Sequence, residues 1–112
     1  MARDPQNFSH NNQLASVAVT IIEAVPSSTK QVVRKLSFRN TGASTRTVTV
    51  YVVQSGGGAS VGNELQVKAI PAGKEWSCAL VQAEVFDVGM SLQAKQDAGT
   101  DVNVNCSGVT VT

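Results

Sequence analysis

The sequence predicts an all-β protein: an antiparallel β-sandwich, jelly-roll-like, with an extended N-terminal arm. Three observations predict it. Apolar and polar residues alternate with a period of two, most cleanly over residues 45–53, where Val48, Val50 and Val52 interleave with Thr47, Thr49 and Tyr51. Turn-forming clusters recur at intervals of about ten residues, the spacing of a sandwich or jelly roll with about seven strands. No stretch sustains a helical period beyond one turn; the nearest is residues 79–87, where Leu80, Ala83 and Glu84 have helical spacing.

The division falls near Leu14. Residues 1–13 (MARDPQNFSHNNQ) are polar and rich in Asn and Gln, with one large apolar residue, Phe8. Such a segment has no core of its own and reads as an arm, able to reach roughly 40 Å when fully extended. Residues 14–112 form the sandwich domain. In the first strand, over 14–25, Val17, Val19 and Ile21 lie on one face and Ala18, Thr20 and Ile22 on the other. Pro26-Ser27-Ser28 then marks a turn. Residues 32–40 place Leu36 and Phe38 on one face, with Lys35, Ser37 and Arg39 opposite. Asn40-Thr41-Gly42-Ala43 leads into the 45–53 strand.

Ser55-Gly56-Gly57-Gly58-Ala59-Ser60 reads as a flexible loop. Leu65 and Val67 face inward from 64–70, Pro71-Ala72-Gly73 turns the chain, and Trp76, Cys78 and Leu80 share a face. Met90, Leu92 and Ala94 point inward from 88–95, and Asp97-Ala98-Gly99-Thr100 turns again. The last strand, 102–112, starts with Val102, Val104 and Cys106 in phase; Ser107-Gly108 then predicts a bulge that hands the inner face to Val109 and Val111.

A chain of 112 residues makes one domain. Charged residues are 15% of it, well below the usual ~25%, a composition that suits a surface covered by other subunits. Nine basic and eight acidic residues leave a net charge of +1, and no basic run exceeds Arg34-Lys35. Nucleic-acid binding, which leaves a basic stripe, is therefore not expected. Neither is a membrane partner, since no apolar stretch approaches the ~18 residues of a span. The polar start lacks the apolar region of a secretory signal, so synthesis in a cytoplasm is expected.

No catalytic constellation emerges, so no enzymatic activity and no cofactor or metal is expected. The single histidine, His10, lies in the polar arm, and to serve as a catalytic base it would have to dock on a rigid site elsewhere. The acids lie mostly in or beside turns, where solvation is their ordinary fate. Asp97 and Asp101 flank one turn but lack the dense ligand spacing of a calcium loop. No Lys-Ser/Thr and no helix follow Gly56-Gly57-Gly58, as a phosphate loop requires. Phe38 and Trp76 fit the core, while Tyr51, opposite Val50 and Val52 in phase, is the one aromatic expected on the surface, a thin basis for sugar binding. Cys78 and Cys106 fall on inward positions. A disulfide across the sheets would close a loop of about 29 residues and contribute roughly 3–4 kcal/mol; two buried thiols are the reading that cytoplasmic synthesis favours.

The runs Lys35-Leu36-Ser37-Phe38-Arg39-Asn40-Thr41-Gly42, Arg46-Thr47-Val48-Thr49-Val50-Tyr51-Val52-Val53, Ile70-Pro71-Ala72-Gly73-Lys74-Glu75-Trp76 and Cys106-Ser107-Gly108-Val109 resemble the pattern of small virion proteins of tailed bacteriophages. The resemblance covers residues 14–112 and is one of pattern rather than of an invariant motif. In size and architecture the chain is most similar to jelly-roll cement, or staple, proteins of phage capsids. The resemblance implies a capsid decoration protein on the outside of the phage head, a dimer or trimer that clamps neighbouring major capsid protein subunits, made in the host cytoplasm. It implies no catalytic residue. Arg3, Phe8 and His10 are then the arm's candidates for partner contact. A tail, baseplate or adhesion component with residues 55–60 at its tip, and a carbohydrate-binding sandwich, are the alternatives.

Overall fold

The structure is a computed structural model that describes residues 3–7, 13–22, 25, 29–55, 57–79 and 85–111. These residues form β1 (Arg3–Asn7), β2 (Val19–Ile22), β3 (Lys30–Asn40), β4 (Arg46–Val53), a 3₁₀ turn (Val61–Asn63), β5 (Glu64–Ile70), β6 (Glu75–Ser77), β7 (Val85–Phe86), β8 (Ser91–Gln96) and β9 (Val102–Val111). All strand pairs are antiparallel. The first sheet has the order β1-β9-β3-β6, and the second β2-β8-β4-β5. Strand β9 pairs with β3 from Lys30 to Asn40, so β6 and β7 share the other edge of β3 and together fill one strand position.

Along the chain, β1 lies in the first sheet, β2 in the second, β3 in the first, β4 and β5 in the second, β6 and β7 in the first, β8 in the second and β9 in the first. Only the β4–β5 and β6–β7 connections stay within a sheet. The terminal strands lie side by side. This is the wrapping of a jelly roll, as the sequence predicts. Strand β1 falls inside the segment read as the arm. It pairs with β9 from Arg3↔Val111 to Asn7↔Ser107, and Gln13 then bridges Asn103 on the same strand.

The inner faces supply the core: Leu14, Ile21, Leu36, Phe38, Ile70, Phe86 and Leu92 are the largest apolar side chains wholly removed from water among its members. Each contributes roughly 1.5–3 kcal/mol of hydrophobic stabilisation. Across β3 and β6, Phe38 and Trp76 stack with ring centroids 5.4 Å apart and an interplanar angle of 19°. Leu14 ties the sheets together. Its amide donates to Val102 O, and the next carbonyl, that of Ala15, accepts from Gln96 N.

Three bulges displace the phases read from the sequence. One lies between Thr20 and Ile22 of β2, so the adjacent Ile21 and Ile22 both turn inward; Val17, expected in phase with Ile21, is outside the strand and 69% exposed. A second lies between Val33 and Lys35 of β3, opposite Gly108 and Ser107. The expected bulge is thus where Ser107-Gly108 predicts it, but the extra residue is Arg34 on the partner strand. Strand β9 keeps its phase: Gly108 and Thr110 are buried, and Val109 and Val111 are only half-buried. The third sets Val50↔Gln66 beside Tyr51↔Glu64, making Leu65 the extra residue of β5. Leu65 packs on the core, while Val67 points outward from Thr49's side and is 52% exposed, against expectation.

Candidate interaction surfaces

The outer face of the first sheet is polar and cationic. Strand β3 presents Lys35, Ser37 and Arg39 there at alternate positions, about 6.7 Å apart. Across the ladder, Ser37 stands opposite Asn105 and Ser77, and Arg39 opposite Asn103 and Glu75. Apart from Ser77, these residues, with Val104, line a shallow trough of about 260 Å³. Ser37 is its floor and is 5% exposed, whereas Lys35, Arg39, Glu75, Asn103 and Asn105 rise as exposed walls. The β3 bulge adds to this face. A regular strand would send Arg34 to the side opposite Lys35; here both are exposed. Among the described residues, the ion pairs are Lys30–Asp87 at 3.4 Å, on the surface, and Arg46–Asp101 at 2.9 Å. Among these residues, Arg34, Lys35 and Arg39 have no such counter-charge.

One end of the sandwich is closed by a polar network. Asn40, fully buried at the end of β3, donates through Nδ2 to Ser44 O (2.7 Å) and Ile70 O (2.9 Å) and accepts at Oδ1 from Gly42 N (3.0 Å). Its backbone joins the β5–β6 turn through Asn40 N to Lys74 O and Gly73 N to Asn40 O. Gln96, also fully buried, accepts the Val102 amide at Oε1 (3.0 Å) and donates through Nε2 to Ala98 O and to Asp101 Oδ1 (2.7 Å). Arg46 Nε donates to both carboxylate oxygens of Asp101, at 2.9 and 3.2 Å. The turn closes so tightly that a Cβ on Gly42 would run into the Asp101 carboxylate. Arg46 first, and then Gln96, hold the Asp101 carboxyl below its ordinary pKa, and Asp101 holds the Arg46 guanidinium above its own.

Asp97 and Asp101, weighed above as cation ligands, are therefore occupied by the protein. Asp97 Oδ1 accepts the amides of Thr47 (3.2 Å) and Ala98 (3.0 Å). Among the described residues, no three His, Cys, Asp or Glu side chains gather as a metal site, and no helix is long and apolar enough to cross a membrane.

On the second sheet, Tyr51 alternates with Val50 and Val52 as predicted, yet it is 4% exposed rather than on the surface. Its neighbours Thr49, Val53 and Ser91 are buried too. The β4–β5 connection follows directly on Val53. Gly57 N donates back to Gln54 O, and the Gly57 backbone sits against Val53. Asn63 then braces the loop, accepting Ser60 N at Oδ1 (2.8 Å) and donating to Gly58 O (2.7 Å). Within the described part of the glycine-rich loop, residues 57–60 are thus internally bonded, and the one aromatic expected on the surface is buried.

Cys78 and Cys106 are buried thiols. They flank Leu36 in one sheet: Cys78 N donates to Leu36 O on one side, and Leu36 pairs with Cys106 on the other. Two strand spacings, about 9.6 Å, separate their backbones, beyond the ~7 Å that a disulfide spans. Burial pushes the Cys106 thiol up to about 12. Of the arm candidates, Arg3 stands in β1 opposite Val111; Phe8 and His10 lie outside the described residues.

No family model matches the chain, and neither does any curated protein sequence. It is similar to a chain in a solved structure described as "Structure of infectious bursal disease virus Gx strain", with a TM-score of 0.45 and 12% identity over 98% of this chain. The match spans 32% of that virus chain, about a third of its length.

Proposed function

We propose that this protein is a non-enzymatic virion structural component, a cement or decoration protein bound to the outside of a phage head, where it stabilises contacts between major capsid subunits. The observation that carries the reading is the complete jelly roll, β1-β9-β3-β6 against β2-β8-β4-β5. Jelly rolls build capsid and lectin domains, and the step from architecture to role is a fold-level analogy. The sequence resemblance to phage cement proteins supplies the phage setting. The carboxylates best placed for chemistry, Asp97 and Asp101, are engaged in closing a turn, so what the molecule offers a partner is sheet face and edge. The lectin-like alternative is weakened by the burial of Tyr51.

The test is stoichiometry. Purified particles should carry the protein in copy numbers comparable to the major capsid protein, and particles lacking it should release their genome at lower temperature. A handful of copies per particle would move the protein to the tail or baseplate; none would remove it from the virion.

A further inference from the structure

We infer that the outer face of the first sheet, centred on Lys35, Ser37 and Arg39, is the docking surface for an acidic protein partner. The inference rests on the structural role proposed above and names the chemistry of its contact. Charge complementarity argues for it. Among the described residues, Arg34, Lys35 and Arg39 are exposed on one face and have no ion-pair partner, and Glu75 is the only acid lining the trough. The bulge at Arg34 concentrates the charge, setting two adjacent cations on the same side of the sheet.

The trough between the cations completes the site. A partner carboxylate seated between Lys35 and Arg39 meets both cations, the Ser37 hydroxyl at the floor, and the Asn103 and Asn105 amides on the wall. A second carboxylate about one strand repeat away reaches Arg34. Glu75, opposite Arg39, calls for a donor or cation on the partner. This alternation of sign fits a protein surface and not a polyphosphate, which Glu75 repels and which favours an unbroken basic stripe. Base stacking has no platform in the trough either: its lining holds no aromatic residue, and Trp76 next to it is turned to Phe38 and the core. Single exposed ion pairs contribute little; covered by a partner, the same groups set the register and on-rate of docking.

The full chain is titrated with fluorescent poly-L-glutamate at low salt, with a single-stranded oligothymidylate of equal charge as competitor. The wild type binds poly-glutamate, more weakly as salt rises. The combined variant Arg34→Gln, Lys35→Gln, Arg39→Gln loses at least about tenfold in affinity with an unchanged melting temperature, Glu75→Gln gains, and a Lys68→Gln, Lys95→Gln control on the second sheet changes less than about twofold. Equal binding by the triple variant and the wild type overturns the inference, as does tighter binding of the oligothymidylate. In particles, a triple variant incorporated at wild-type copy number overturns this face while leaving the structural role standing; failure of the wild type to incorporate overturns the role, and the titration still decides the face.

Discussion

Arg46 reaches across from the start of β4 and donates through a single nitrogen, Nε, to both carboxylate oxygens of Asp101, at 2.9 and 3.2 Å. Gln96 Nε2 meets the same carboxylate at 2.7 Å. The β8–β9 turn is thereby fastened to β4 and to the end of β8, and the carboxylate must be ionised for the whole set to form. Because the folded-state pKa of Asp101 is depressed below its ordinary 3.8, its contribution to stability is present above that value and is lost as pH falls through the folded pKa. Wild type and Asp101→Asn should therefore differ in melting temperature at pH 7, and the difference should narrow as pH falls below 3.8 and through the folded-state pKa. A gap that stays constant from pH 7 to pH 2 would mean that the charge of Asp101 is not what holds the turn.

Asn40 does its work without charge. Replacing it with alanine removes three hydrogen bonds and leaves the buried Ile70 carbonyl and the half-buried Gly42 amide in search of partners. The expected cost is roughly 2–4 kcal/mol, from about 1–3 kcal/mol per stranded buried group. Chemical denaturation should show it as a lowered midpoint with an unchanged slope. Asn40→Asp should be still less stable at neutral pH, since its carboxylate would face the carbonyls of Ser44 and Ile70, and should partly recover in acid as it protonates.

Tyr51 separates a structural role from a sugar-binding one. At 4% exposure its ring is packing material, so Tyr51→Ala should lower stability by about 3 kcal/mol and leave glycan binding undetectable before and after. Micromolar binding of the wild type to an arrayed glycan, abolished in the variant, would restore the carbohydrate reading.

Much of this architecture is legible in the sequence because burial writes itself into strands with one wet face. Val48 and Val50 in β4, and Val102, Val104 and Cys106 in β9, lie where alternation puts them. Register is different, since it belongs to a pair of strands. Ser107-Gly108 signals a defect in the ladder, but nothing in β9 alone reveals that Arg34 on β3 is the residue that bulges. Strand β1 is polar throughout; it is a strand because its backbone pairs with β9, and main-chain pairing leaves no hydrophobic period to read. Tyr51 is buried on the face opposite Val50 and Val52, where the alternation of β4 alone reads as solvent. Asn40 sits in a cluster that reads as a turn and Asp101 beside one that reads as solvated, and only the convergence of three turns joins them with Gln96 in an internal network. The docking trough has the same origin: Arg34-Lys35 is a short basic pair in sequence, and it becomes a face only once the bulge and the β9 asparagines surround it.

The cysteines give a prediction about oxidation. With Leu36 between them in the sheet, Cys78 and Cys106 cannot bond without unfolding, and the Cys106 thiol, pushed up to about 12, holds almost no thiolate at pH 8. Native protein should ignore a thiol reagent for hours and show no loss of two hydrogens by mass after mild oxidation; both thiols should react at once in denaturant. Rapid native labelling would mean that the β6 edge opens readily.

The bulge itself can be removed. Arg34 is the one residue of β3 without its own place in the β9 register. Deleting it should let Val33 and Lys35 close into a regular ladder, with the core set Leu36, Phe38 and Asn40 still facing inward and the remainder of the cost confined to a lost local twist. Deleting Ser37, on the far side of the bulge, should instead turn Leu36 outward and Lys35 into the core, even with the spare Arg34 taken up to keep Val33 and the residues before it in register, and the chain should fail to fold. The measurement is a pair of thermal melts: the Arg34 deletion should retain a cooperative transition within about 10 °C of wild type, consistent with a loss of roughly 1–2 kcal/mol, and the Ser37 deletion should have none. If both deletions melt alike, Arg34 is not a spare residue and the two strands are registered by something other than the facing pattern of β3.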